Sequence, residues 1–120
     1  MLKSADELIR EAQQYIECID AATAKKLYDE NPGAVIIDVR EAHHADESKL
    51  EQSINISRGV LEYAVHKQCP QADTVIITHC AGGGRASMAA HTLKQIGYMQ
   101  VYAICAPYEE IKATFDEAPI

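Results

Sequence analysis

Residues 74–87 read "TVIITHCAGGGRAS", an apolar run followed by a cysteine, three glycines and an arginine. The apolar run predicts a buried strand, and the residues from Ala86 onward predict a helix. Consecutive glycines are costly because glycine loses more backbone freedom on folding than any other residue. The glycines therefore indicate a strand-to-helix turn in which the backbone itself has a task.

The rest of the chain repeats this alternation of strand and helix. Strands are predicted at 15–19, 34–40, 53–57, 73–80 and 101–105, and helices at 4–16, 21–30, 59–68, 86–97 and 107–118, with a polar loop at 41–52. Alternating elements of this length favour parallel strands joined by helical crossovers. The fold class is therefore α/β, with a central, mainly parallel five-stranded sheet flanked by helices on both faces.

Length and charge limit the organisation and the partners. A chain of 120 residues predicts a single domain over 1–120, with the helix at about 4–16 as an N-terminal extension. The net charge of -7 and the lack of Lys or Arg clusters argue against nucleic acid and membrane surfaces as partners. The charged N-terminus and the lack of a long apolar stretch favour a cytoplasmic protein, and we expect a monomer or weak dimer.

The four cysteines are Cys18, Cys69, Cys80 and Cys105. They show no close pairing and no secretory context, so free thiols are expected. Cys105 ends the last predicted strand, where it could receive sulfur from Cys80 or form a disulfide with it under oxidation. A buried structural thiol is the favoured interpretation of Cys105.

Cys80 differs from the other cysteines in its surroundings. If it ends a strand and Ala86 lies in the first turn of a helix, the glycines between them can turn several N–H groups inward. Such a concave nest, with the positive charge of Arg85 beside it, stabilises a thiolate, which is the nucleophilic form of cysteine. Ligands of α/β sheets bind at this carboxyl edge, so the sequence predicts a reactive Cys80 there.

The glycine-rich turn has other possible interpretations. A phosphate-binding loop of the Walker type needs Gly-Lys-Ser/Thr, which is absent, and a dinucleotide fingerprint has no reason to begin with cysteine. The plain alternative is a βα turn with an incidental cysteine. His79 could assist Cys80 if protonated, but adjacent strand residues point to opposite faces. His43 and His44 have only the faint look of metal ligands, and no metal site is predicted.

Three motifs together resemble the rhodanese domain family. Cys80 to Arg85 is similar to its Cys-x4-Arg loop, "IIDVRE" at 36–41 to its Asp-Val-Arg element, and "INISRG" at 54–59 to a third element. The resemblance covers about residues 34–112. Two stretches depart from the family pattern: its Gly-His-Ile-Pro-Gly-Ala appears as "SKLEQS" at 48–53, and its Gly-Gly-aromatic as Ala106-Pro107-Tyr108.

The resemblance implies a rhodanese-like fold and a sulfurtransferase that needs no cofactor. Cys80 would take a sulfane sulfur from thiosulfate or a persulfide and pass it to cyanide or a thiol, which could belong to a protein. Arg85 would brace the loop. The remaining implied site residues are the anion-binding loop, Ala81, Gly82, Gly83 and Gly84, and the supporting residues Asp38, Arg40 and Arg58.

Two other functions remain open from the sequence. A cysteine-dependent phosphatase or arsenate-reductase-like enzyme would use the same nest chemistry, but phosphatases of this fold resemble Cys-x5-Arg. The shorter loop makes a tighter ring of amides that suits one sulfur atom better than a phosphoryl group. A non-catalytic binding module of the same family is the third candidate, and the presence of Cys80 argues against it.

Overall fold

The computed structural model describes residues 1–117, and five strands and six helices form within them. The strands are β1 (Glu17–Ile19), β2 (Val35–Asp38), β3 (Ser53–Asn55), β4 (Val75–His79) and β5 (Gln100–Ile104). The helices are α1 (Ala5–Gln13), α2 (Ala21–Glu30), α3 (Ala42–Glu47), α4 (Leu61–Gln68), α5 (Gly84–Ile96) and α6 (Tyr108–Phe115). The predicted end of the last helix, Ala118, lies outside the described residues.

The five strands form one sheet in the order β1-β5-β4-β2-β3, and every neighbouring pair is parallel. The predicted α/β fold with a five-stranded sheet is therefore confirmed. β4 is the central strand and lies between β5 and β2. Because all strands run the same way, their carboxyl ends meet at one edge, and Cys80 follows β4 at the middle of that edge.

Both faces of the sheet are buried. Ile37 and Ile76 belong to one apolar core, which includes Leu61 of α4 and Leu93 of α5. On the other face, Ile36 and Ile77 share a second core with Ala24 of α2 and with Ile111 and Phe115 of α6. Burial on both faces explains why β2 and β4 have continuous apolar sequences rather than alternating ones.

The first two helices begin at the capping residues that the sequence indicates. Ser4 Oγ accepts the N–H of Glu7 at 3.1 Å, and the Glu7 side chain returns the bond to the Ser4 backbone. Asp20 Oδ1 accepts the N–H of Thr23 at 2.8 Å. These side chains satisfy N–H groups that the first turn of a helix leaves without a partner.

The polar segment predicted as a loop at 41–52 contains a short helix, α3, so that part of the prediction is wrong. Ala45 is its one buried residue, and His43 and His44 are exposed on it. A six-residue helix with one inward side chain has no apolar periodicity for the sequence to show. None of the helices within residues 1–117 has the length and apolar character needed to cross a bilayer.

Candidate active site

The sulfur of Cys80 lies at the amino end of helix α5. Its Sγ accepts the N–H of Gly83 at 3.1 Å and the N–H of Ala86 at 3.4 Å. The side chain is 2% exposed. The positive end of the helix dipole and these two directed N–H groups both favour negative charge at the position of the sulfur.

One of the three glycines has a backbone that other residues avoid. Gly83 has φ of +102°, and a Cβ placed there would lie 3.0 Å from the Cα of Cys105. A Cβ on Gly82 would meet nothing within 4 Å. At Gly84 it would meet only the end of the flexible Ile9 side chain, at 2.7 Å. The turn therefore requires glycine at position 83, whereas Gly82 is not required by the space around it.

The amides of the turn divide into two sets. The sequence predicts a cradle from Ala81 to Arg85, but the sulfur is bound by Gly83 and by Ala86, which lies one residue beyond that range. The N–H groups of Ala81, Gly82, Gly84 and Arg85 find no acceptor among residues 1–117. These donors are available to an anion that enters the loop.

Two buried hydroxyls hold the turn in place. Thr78 Oγ1 donates to the carbonyl of Ala86 at 2.8 Å, which joins β4 to the first turn of α5. Ser87 Oγ donates to the carbonyl of Gly83 at 2.7 Å and accepts from Gln13 Nε2 at 3.1 Å. Neither Ser87 nor Gln13 was predicted from the sequence to belong to the site. Ser87 lies just past the loop motif, and a contact with a residue 74 positions away leaves no local pattern.

Arg85 does not make the bonds expected of a bracing residue. Its side chain is half-buried, and it takes part in no hydrogen bond or ion pair recorded for residues 1–117. What Arg85 brings to the site is a positive charge.

Asp38 and Arg40 form a buried ion pair at the same sheet edge. Arg40 Nε lies 3.0 Å from Asp38 Oδ1, and Arg40 Nη2 lies 2.7 Å from Oδ2. Arg40 Nη2 also donates a hydrogen bond to the carbonyl of Ser48, at 2.7 Å. The hydrogen bond to Asp38 raises the pKa of the Arg40 guanidinium. Such a two-pronged pair fixes the orientation of both side chains.

Tyr108 connects this ion pair to the turn from Cys80 to Arg85. The guanidinium carbon of Arg40 lies 4.1 Å from the centroid of the Tyr108 ring, in cation–π contact. The backbone N–H of Tyr108 donates to the carbonyl of Ala81 at 2.9 Å. The ion pair therefore contacts the loop through Tyr108. In the sequence, this residue stands out only as part of a departure from the family pattern.

His79 lies beside Asp38 and away from Cys80. It is fully buried, its Nε2 is 3.9 Å from Asp38 Oδ2, and its ring stacks on Tyr108 at 6.0 Å. Neither ring nitrogen has a hydrogen-bond partner among residues 1–117. Burial lowers the pKa of His79, which favours the neutral imidazole. Cys80 belongs to the core on the opposite face of the sheet, as the alternation of strand residues predicts.

Arg58, expected to be a supporting residue of the site, contacts the second half of α5. Its Nη2 donates to Thr92 Oγ1 at 2.9 Å, and its Nη1 pairs with Glu62 at 3.1 Å. It lines a cavity of about 490 Å³ between α1 and α5, together with Tyr15 and His91. No residue of the Cys80–Arg85 loop lines that cavity. The structure therefore does not bring Arg58 to the nucleophile.

The expectation of four free thiols is wrong for two of the cysteines. Cys18 and Cys105 form a disulfide with a Cα–Cα distance of 5.5 Å, while Cys69 and Cys80 are free and buried. Burial raises the pKa of the Cys69 thiol. The pairing follows from the parallel contact of β1 with β5, which brings together residues 87 positions apart. Cys105 is thus paired with Cys18 and not with Cys80.

Comparison with known proteins gives one family and several similar structures. The model of the rhodanese-like domain matches residues 20–114. A Rhodopseudomonas palustris protein of unknown function, described as a possible tyrosine phosphatase, is 26% identical with a TM-score of 0.80, covering 94% of this chain and 92% of its own. No curated protein sequence matches this chain.

Two sulfurtransferase structures share the fold at lower identity. The polysulfide-sulfur transferase homodimer of Wolinella succinogenes is 21% identical with a TM-score of 0.72, covering 87% of this chain and 78% of its own. A human single-domain sulfurtransferase is 18% identical with a TM-score of 0.68, covering 84% and 97%. At these identities the likeness is one of fold.

Replacing Gly83 by alanine should distort the turn, whereas the same change at Gly82 should not. We expect Gly83→Ala to lower the free energy of unfolding by about 1–2 kcal/mol, because a side chain disfavours positive φ and would also crowd Cys105. Urea unfolding gives this value, and the alkylation rate of Cys80 reports on the nest. Equal stability and equal alkylation of Gly83→Ala and Gly82→Ala would contradict the assigned role.

Acidification should destabilise the protein partly through His79. Because burial lowers the folded-state pKa, the unfolded chain takes up a proton that the native state refuses once the pH falls below about 6.5. Stability should therefore fall between about pH 7 and about pH 5, and His79→Phe should reduce that fall. Urea unfolding across this range tests the effect, with His66→Phe, at an exposed position of α4, as the control. Equal pH dependence in the wild type and His79→Phe would refute it.

Proposed function

The chain belongs to the rhodanese-like domain family, and on that basis we propose that it is a sulfurtransferase that works through a persulfide on Cys80. The proposed donor is a sulfane-sulfur compound such as thiosulfate or a persulfide, and the acceptor is cyanide or a thiol. The reaction needs no cofactor, and residues 1–120 act as one domain with α1 as its extension. The Cys80 thiolate attacks the outer sulfur, the donor leaves with its electron pair, and one sulfur atom stays on Cys80.

The observation that supports this proposal most is the arrangement of amides around Cys80. Two N–H groups bind Sγ, and four others in the same turn lack an acceptor within residues 1–117. A terminal sulfur added to Sγ would find these donors already in place. Because they do not need to rearrange, they stabilise the negative charge before and after transfer.

The supporting residues have separate tasks in this proposal. Arg85 attracts an anionic donor to a protein whose net charge of -7 would otherwise repel it. Asp38 and Arg40 fix the Tyr108 ring, and the Tyr108 N–H holds the carbonyl of Ala81 away from the sulfur. His79 acts as a neutral packing residue beneath them. The side chain of Arg58 is bonded to Glu62 and Thr92, and this proposal gives it no part in the reaction.

Phosphate-ester hydrolysis is the second candidate, and the similarity to the possible tyrosine phosphatase of R. palustris favours testing it. A cysteine at a helix N-terminus can attack phosphorus as well as sulfur. The turn from Cys80 to Arg85 has four intervening residues, which leaves less room for three phosphoryl oxygens than a longer loop would. Sulfur transfer is therefore the function we propose.

Incubation with a sulfane donor should add one sulfur atom to Cys80. Mass spectrometry of the peptide that contains Cys80 should show the adduct after exposure to thiosulfate or glutathione persulfide, and cyanide should remove it as thiocyanate. Cys80→Ser should lose both adduct and turnover, because a hydroxyl at this position is a far weaker nucleophile than a thiolate. Cys69→Ser is the control, since Cys69 is the other free cysteine.

Three outcomes would overturn the assignment of the nucleophile or of the reaction. Full activity in Cys80→Ser, or an adduct confined to Cys69, would remove Cys80 from the reaction. Rapid hydrolysis of an aryl phosphate without sulfur uptake would replace sulfur transfer by phosphatase activity. Thiosulfate, glutathione persulfide and the aryl phosphate should be tested with the same protein preparation, so that a difference in activity cannot arise from a difference in folding.

Two substitutions of Arg85 should show whether its charge or its hydrogen-bond geometry matters for the reaction with thiosulfate. Because Arg85 has no bonding partner within residues 1–117, we expect Arg85→Lys to keep most of the wild-type kcat/KM with thiosulfate. Arg85→Gln removes the charge and should raise KM roughly tenfold, about 1.4 kcal/mol, with a smaller change in kcat. Steady-state kinetics with thiosulfate give kcat and KM for both variants and the wild type. If Arg85→Lys is as impaired as Arg85→Gln, the guanidinium makes specific bonds to the substrate.

A further inference from the structure

The Cys18–Cys105 disulfide lies directly behind the catalytic turn. The Cα of Cys105 is 3.0 Å from the position that a Cβ of Gly83 would occupy, so the two backbones are in contact. Cys105 is half-buried, whereas Cys18 is exposed on β1, the edge strand of the sheet. We therefore expect a thiol in solution to approach the disulfide from the side of Cys18, without entering the loop at Cys80.

Ser87 joins the disulfide to the turn. Its Oγ lies 3.6 Å from Cys105 Sγ and 3.9 Å from Cys18 Sγ, and it donates to the Gly83 carbonyl at 2.7 Å. Because the peptide unit is planar, fixing the Gly83 carbonyl also fixes the Gly84 N–H, which points the opposite way. Ser87 is fully buried, so its hydroxyl has few other partners to choose from.

We propose that Cys18 and Cys105 form a redox-active second site, and that Ser87 transmits its oxidation state to the Cys80 loop. The proposal rests on the sulfur-transfer function for its effect on activity. With the disulfide formed, Cys105 holds Gly83 in its left-handed conformation and Ser87 holds the Gly83 carbonyl. In this state the turn presents its amides to Cys80 and to the incoming sulfur.

Reduction requires a dithiol as the electron donor. One of its thiolates attacks the Sγ of Cys18, the more exposed residue of the pair, the Cys18–Cys105 bond breaks, and Cys105 leaves with the electron pair and takes a proton from water. The second thiolate of the donor then attacks the mixed disulfide and releases Cys18. The donor is oxidised to a disulfide and the protein gains two electrons, two protons and two thiols.

The two thiols change the surroundings of Ser87. Sulfur atoms that are no longer bonded must move apart to non-bonded contact, and both lie near the Ser87 hydroxyl. Each thiol can also hydrogen-bond to Oγ and compete with the Gly83 carbonyl for it. We expect the Gly83–Gly84 peptide to become less ordered, which weakens the nest that the oxidised protein keeps in place. In a reducing compartment, which the sequence predicts for this chain, such a disulfide is transient and suited to redox sensing.

The test compares five forms of the full chain: wild type with the disulfide intact, wild type reduced with dithiothreitol and desalted without oxygen, Cys18→Ser, and Ser87→Ala in each of the two redox states. Peptide mapping first establishes the disulfide. The rate of sulfur uptake by Cys80 from glutathione persulfide is then measured. We expect uptake to be several-fold slower in reduced wild type and in Cys18→Ser, and Ser87→Ala to be slow in both states.

A second readout does not depend on sulfur transfer. The amide resonances of Gly83 and Gly84 in a ¹⁵N–¹H correlation spectrum should shift on reduction, while that of Gly33, at the opposite end of the strands, should not. A shift without any sulfur uptake would support the coupling and refute the proposed function. Absence of the disulfide, equal uptake and unchanged Gly83 resonances in the two states, or full redox dependence in Ser87→Ala would each overturn the inference.

Discussion

The contact between the Cys80 sulfur and the N–H groups of Gly83 and Ala86 is the constraint on which the site depends. It requires the chain to reverse from strand to helix within a few residues, which only a positive φ at Gly83 allows. It also requires a rigid frame, and the central position of β4 provides one because the strand is buried on both faces. The other residues at this edge of the sheet contact the backbone of the turn and not only Cys80.

The side chains that contact the turn come from both faces of the sheet. Thr78 and Ser87 hold its backbone from within the molecule by donating to the carbonyls of Ala86 and Gly83, and Gln13 donates to the Ser87 hydroxyl. From the other side, the ion pair of Asp38 and Arg40 reaches it through the ring and backbone of Tyr108. Loss of either set would leave Cys80 in place but would change which way its neighbouring amides point.

Local pattern was enough to predict the sheet, the helix caps and the strand-to-helix turn after Cys80, because each depends on residues close together in the chain. The apolar runs of β2 and β4 and the turn from Cys80 to Arg85 are of this kind. The sequence could not show which distant residues meet. The Cys18–Cys105 disulfide, the Gln13–Ser87 bond and the position of Arg58 depend on how elements pack, and α3 has too little apolar periodicity to be recognised.

Helix α1 contributes contacts to the loop although the helix lies outside residues 20–114, which the family model covers. Ile9 of α1 packs against Gly84, and Gln13 binds the Ser87 hydroxyl that holds the Gly83 carbonyl. The space beside the Gly84 amide is therefore limited by a segment that other members need not share. A small sulfur donor fits such a restricted approach better than a bulky ester does, because only one atom has to reach Cys80. Under the proposed function, the extension and the short Cys-x4-Arg turn therefore both favour a small sulfur donor.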